Sequence, residues 1–195
     1  MINKKHDYQI LWNMPYHDLI SQWEKDKNEL RNKDLYYWRE DLETRPWKSV
    51  GMQSHHPVHK MVEERFSVYG LTLGTTQYMI TVVGVGMDRL HLDPPIRGAA
   101  INIPIEIEKD WQFFLTGSAE DLTEAPRTAS NLVKFHYEPE KCSFFNCRAP
   151  WIFNSQAPHG FANYAKTDRV VMSISFLEDY NTVLKSIPKE WFNSL

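Results

Sequence analysis

The residues best equipped for chemistry lie in the run Asp88-Arg-Leu-His-Leu-Asp93. His91 and Asp93 are two apart, so on an extended chain an imidazole and a carboxylate share one face. An imidazole from elsewhere would complete a two-histidine, one-carboxylate face on an octahedral metal. Three coordination positions would stay open, as oxygen chemistry at non-haem Fe(II) requires. Alone the pattern is common. The chain has eight histidines, and a surface histidine with a turn aspartate before Pro94-Pro95 gives the same letters.

A second stretch, Ala157-Pro-His-Gly-Phe-Ala-Asn163, precedes Asp168-Arg-Val-Val-Met-Ser-Ile-Ser-Phe176. His159 falls in one predicted strand, and Arg169, ten residues later, opens another. An antiparallel pair turning near residues 165–167 can bring both side chains into one cavity. A guanidinium there can form two parallel charge-assisted hydrogen bonds to a carboxylate. The alternative is a core histidine and an edge arginine in a surface ion pair.

These groups need rigid elements to hold them. Phe66–Leu73, Thr76–Val85, Ala99–Ile107 and Val170–Phe176 are rich in Val, Ile, Thr and aromatics and predict strands. Trp111–Leu115, Phe144–Cys147 and Trp151–Asn154 are shorter candidates. Asp18 could cap a helix carrying Leu19, Ile20, Trp23 and Leu30, and a second helix is predicted over Leu35–Glu43. Gly51–His59 reads as loop. Tyr180–Ile187 predicts a closing helix ended by Pro188. Short strands without alternating helices argue for a mainly β sandwich or barrel. The 195 residues suit one domain: a helical and loop extension over 1–60 packed on a 66–177 core, then a 178–195 tail.

The signals run in order: His-x-Asp, a β run with Arg97 and Asn102, then His159 and an arginine ten residues on. In this arrangement, residues 66–177 resemble the Fe(II)/2-oxoglutarate-dependent oxygenases, whose core is a double-stranded β-helix of the jelly-roll or cupin-like kind. The stretch Arg97-Gly-Ala-Ala-Ile-Asn-Ile-Pro104 is similar to the aspartyl/asparaginyl β-hydroxylase-like branch. The resemblance implies His91, Asp93 and His159 as ligands of Fe(II), and Arg169 as the anchor for the far carboxylate of 2-oxoglutarate. It implies O2 as oxidant, succinate and CO2 as co-products, and hydroxylation of a C–H bond in a protein side chain or amino-acid-like metabolite. An aspartate at 93, where halogenases keep a small residue, favours hydroxylation.

One position departs from the pattern. Many members carry Ser or Thr two residues after the arginine, and here that residue is Val171. Ser173, Asn102 and Tyr78 are the candidate replacements. Arg97 could reach a substrate or cosubstrate carboxylate, or pair with a nearby acid. Trp111 could wall a substrate cleft or lie in the core.

Other constellations are weaker. His55, His56 and His59 hold an i, i+4 pair, but Pro57 interrupts it and no third ligand is evident. Cys142 and Cys147 are spaced unlike zinc knuckles and give no disulfide framework. A net charge of −3 lacks the basic footprint of a nucleic-acid binder. The longest nearly apolar run, Tyr78 to Met87, is short of the roughly 20 residues that cross a membrane. The first ten residues do not read as a secretory leader, so a reduced, cytoplasmic setting is expected. Two other classes stay open: a cupin-like metal or ligand-binding domain without oxygenase activity, and a structural β-sandwich interaction protein.

Overall fold

The computed structural model describes residues 7–38, 47–81, 90–108, 112–125, 133–146 and 148–192. Its elements are β1 (Tyr8–Ile10), α1 (His17–Asp26), β2 (Tyr36–Trp38), β3 (Trp47–Met52), α2 (Pro57–Ser67), β4 (Leu73–Thr81), β5 (Leu90–His91), β6 (Ala99–Glu106), β7 (Gln112–Gly117), β8 (Lys134–Phe135), β9 (Cys142–Asn146), β10 (Trp151–Asn154), β11 (His159–Asn163), β12 (Arg169–Phe176) and α3 (Tyr180–Ser186). The strands form two antiparallel sheets, a mainly β double-stranded β-helix. One has the order β1-β10-β6-β12-β4-β3-β2 and the other β8-β5-β11-β7-β9.

The central strand β12 is buried along its whole length, so each face must meet a different layer. Val170, Met172, Ile174 and Phe176 point to the helices and pack with Val58, Val62, Phe66 and Val183. Val171 points between the sheets and packs with Trp151, Phe114 and Phe161. The period-two alternation thus separates a structural face from an inner face carrying Arg169 and Ser173. Pro104 in β6 has no N–H to give the ladder. The register with β12 slips there, Val171 facing Pro104 and Val170 facing Glu106.

Phe66–Leu73, read as a strand, is instead the end of α2 and the turn after it, and only its last residue, Leu73, belongs to β4. Val58, Val62 and Phe66 are fully buried at a spacing of four, which is a helix face. Pro57 starts this helix, where its missing N–H costs nothing, and His56 Nδ1 accepts the Val58 N–H at 3.1 Å as cap. Tyr36–Trp38 is strand rather than helix. Residues 8–10, 36–38 and 47–52 add three strands to the larger sheet, so the N-terminal sixty residues are not only a helical and loop extension. No helix among the described residues is long and apolar enough to cross a membrane.

Candidate active site

His91 and His159 are register partners in the β5–β11 pair, so their side chains leave the same face at the same level. Their ring centroids are 4.6 Å apart. Asp93 follows two residues later, its N–H donating to the Ser155 carbonyl at 3.0 Å, which carries the extended path one step beyond β5. Pro94-Pro95 then ends it, and the Arg97 N–H closes the turn on the Pro94 carbonyl at 2.9 Å. Next comes Gly98, where a Cβ would lie 2.3 Å from the Glu178 carbonyl oxygen, so only glycine lets this turn rejoin β6.

The three ligand atoms of His91, Asp93 and His159 lie within 4.8 Å of one another. His91 Nε2 is 3.8 Å from Asp93 Oδ1, and His159 Nε2 is 3.7 Å from Asp93 Oδ2. These separations exceed a hydrogen bond and leave the donors facing a common point. His159 Nδ1 donates to the Ala157 carbonyl at 2.9 Å, which fixes the tautomer and turns the Nε2 lone pair toward Asp93. Burial lowers the His159 imidazole to about 4, with Asp93 pulling the other way, so the ring is neutral at pH 7. Two imidazoles, that of His159 neutral, and a carboxylate on one face suit a ferrous ion with open positions.

Deeper between the sheets, Arg169 is fully buried. Its guanidinium carbon sits 4.0 Å from the Phe161 ring centroid and 5.8 Å from that of Trp151. Trp151, Asn102 and Ser173 form one transverse row on β10, β6 and β12. Trp151 Nε1 and both amide atoms of Asn102 are buried with no hydrogen-bond partner among the described residues. Buried polar atoms of this kind cost stability unless something else satisfies them. The interior therefore joins metal-ligand chemistry near the surface to a cation and unsatisfied polar groups within.

Tyr78 is elsewhere. It faces Met172 across the β4–β12 ladder, on the helical side of the sheet, where its hydroxyl donates to Asp26 Oδ2 at 2.5 Å. It does not enter the interior, because Thr81 is the β4 residue opposite Arg169 and an odd step of three puts Tyr78 on the other face. Arg97 pairs with Asp93 Oδ2 at 3.0 Å and donates to Ser173 Oγ at 2.5 Å. Trp111 lies outside the described residues. Asn154 and Asn163 hold loops: Asn163 Nδ2 donates to the Thr81 and Thr167 carbonyls, both at 3.1 Å. Sequence reasoning passed over Trp151 and Gln156. The alternation Trp151-Ile-Phe153 signals an inward Trp151, but nothing in the letters marks Gln156, whose amide donates to the Arg97 carbonyl at 2.8 Å.

No protein-family model matches the sequence, and no curated protein matches it. Solved structures do. The chain is similar to the epimerase SnoN in complex with Fe3+, α-ketoglutarate and nogalamycin RO, at 10% identity over 88% of this chain and 78% of that one, TM-score 0.60. It is similar to EvdO2 from Micromonospora carbonacea var. aurantiaca complexed with 2-oxoglutarate, at 12% identity over 88% and 86%, TM-score 0.56. It is also similar to a prolyl hydroxylase from Trichoplax adhaerens bound to a hypoxia-inducible-factor peptide, at 10% identity over 94% and 89%, TM-score 0.52. At these identities the likeness is one of fold.

Proposed function

We propose that this chain is an Fe(II)- and 2-oxoglutarate-dependent oxygenase that hydroxylates a C–H bond of a protein side chain or a small amino-acid-like metabolite. One observation carries the reading: the His91–Asp93–His159 cluster and the buried Arg169 border one aromatic cluster, in which Phe114 stacks on His159 and packs on Phe161, the ring beneath Arg169. The fold shared with iron- and 2-oxoglutarate-bound proteins supports it.

His91, Asp93 and His159 would hold Fe(II), and the Ala157 carbonyl keeps the His159 ring aimed. Arg169 would hold the far carboxylate of 2-oxoglutarate, its guanidinium kept in orientation by the Phe161 and Trp151 rings. Trp151, beside Arg169, and its register partner Asn102 offer unsatisfied polar atoms. The aromatic walls Phe114, Phe153 and Phe161 keep water from the reacting atoms. When bound, iron and cosubstrate supply the oxidation: one O2 oxygen goes to the C–H bond and the other to succinate, with release of CO2.

Val171, at the position of the usual hydroxyl, favours a second reading, a cupin-like binding domain without oxygenase activity. Calorimetric titration of the Ni(II)-loaded protein with 2-oxoglutarate separates the two. Arg169→Ala should keep Ni(II) and lose at least about 30-fold in 2-oxoglutarate affinity, the scale of truncating one partner of a buried charge pair. Wild-type protein that takes Ni(II) but no 2-oxoglutarate would leave the cupin-like reading.

A further inference from the structure

We infer that Arg97 is a positioning residue for Asp93, holding its carboxylate as a one-oxygen metal ligand. The inference rests on the metal-centre reading above. Arg97 Nη1 lies 3.0 Å from Asp93 Oδ2, and Nη2 donates to Ser173 Oγ at 2.5 Å. All three side chains are largely or wholly buried, Asp93 at 9% and Arg97 at 13% side-chain exposure and Ser173 fully. The fork therefore spans from the ligand to the central strand. Ser173, which the sequence suggested for the cosubstrate, is the far post of this brace.

The backbone around Arg97 is held as firmly. Its N–H bonds the Pro94 carbonyl at 2.9 Å, and its own carbonyl accepts from Ser155 Oγ and from Gln156 Nε2, the latter at 2.8 Å. Ser155 and Gln156 belong to the loop that delivers His159, so the loops of both ligand sets share one anchor. A guanidinium so fixed, 3.0 Å from Oδ2, attracts that oxygen and opposes rotation of the carboxylate. A planar fork can do this and still hold Ser173, whereas a lysine ammonium is a single point of charge. Ligand orientation by such neighbours is worth about 10–100-fold in metal affinity.

The test uses Co(II) alone, added to the full-length apo protein. Affinity and the visible absorption of the Co(II) form are read, with thermal melting of each apo variant. Wild type should bind one Co(II). Arg97→Gln should bind about 10–100-fold more weakly, with a changed visible spectrum as the freed carboxylate changes its mode of ligation. Arg97→Lys should recover part of the affinity, and Ser173→Ala should lose a smaller part. If Arg97→Gln fails to fold, these two variants carry the test. Variants within about twofold of wild type in affinity, with its spectrum, would reduce Arg97 to a structural ion pair and overturn the inference, whatever their melting points. A folded wild type that binds no Co(II) would overturn the metal-centre reading itself.

Discussion

Replacing Tyr78 by Phe removes one oxygen, and by the register of β4 that oxygen lies on the helical side of the sheet. There the hydroxyl donates to Asp26 Oδ2 at 2.5 Å, and Asp26 is only 5% exposed. Burial comes first in raising the phenol, followed by its bond to Asp26, so the group stays a protonated donor at every accessible pH. Asp26 also accepts from Gln22 Nε2 at Oδ1, 2.9 Å, and from the Tyr36 hydroxyl, which His56 Nε2 meets at 2.9 Å, while His56 Nε2 itself stands 3.8 Å from Oδ2. The substitution thus removes one of three donors from a buried carboxylate. A hydrogen bond to a charged group is worth about 1.5–3 kcal/mol. For a chain of this length each kcal/mol moves the melting temperature by about 2–4 °C, so Tyr78→Phe should melt about 3–12 °C lower. Calorimetry measures that shift, and a parallel titration of the Ni(II)-loaded variant should find 2-oxoglutarate affinity within about twofold of wild type. An unchanged melting temperature with about tenfold weaker 2-oxoglutarate binding would place the hydroxyl in the interior and refute the register.

Asn102→Val should stabilise the apo protein by about 1–2 kcal/mol in urea unfolding, since it removes two buried amide atoms that nothing described satisfies, and should weaken 2-oxoglutarate binding. A loss of stability of the same size would mean that the amide serves the fold. Acid should destabilise the metal-free protein well before carboxylates protonate. Burial lowers both His56 and His159, the latter to about 4, whereas an unfolded histidine takes its proton near 6.5. Below 6.5 the unfolded state then binds more protons, so stability is full above that pH and falls as pH drops toward 4. At pH 5 His159 alone removes about 2 kcal/mol, from 1.5 units at 1.36 kcal/mol each. Glu138 and Asp179 have lowered carboxyls and add to the loss mainly below about 4.5, at the acid end of this window. Equal unfolding free energies at pH 7 and pH 5 would contradict the buried, neutral histidines.

The candidate site was more legible in the letters than the elements around it. Few residue types ligate metals, so His91, Asp93 and His159 stand out by identity, and strand periodicity then says that the first two share a face. Tyr78 was misplaced because its face depends on its offset from Thr81, and only the ladder reveals that Thr81 opposes Arg169. The segment from Phe66 misled because its aromatics and β-branched residues favour strand, while the spacing of Val58, Val62 and Phe66 starts upstream, behind a proline that reads as a breaker. β1 to β3 were illegible for a different reason. β1 and β2 have three residues each, and all three strands exist by pairing: β1 with the distant β10, β2 with β3, and β3 with β4. For Arg97 the letters left two readings, a substrate or cosubstrate carboxylate and a nearby acid, and only the turn around two prolines shows that Asp93 is its ion-pair partner.

The most direct test of the central claim is anaerobic. Fe(II) and then 2-oxoglutarate are added to the purified protein, and the visible spectrum is followed for the weak charge-transfer band of the metal chelate. The account predicts a band in wild type and none in Asp93→Ala or His159→Ala. Wild-type protein that binds Fe(II) and shows no band at saturating 2-oxoglutarate would contradict it.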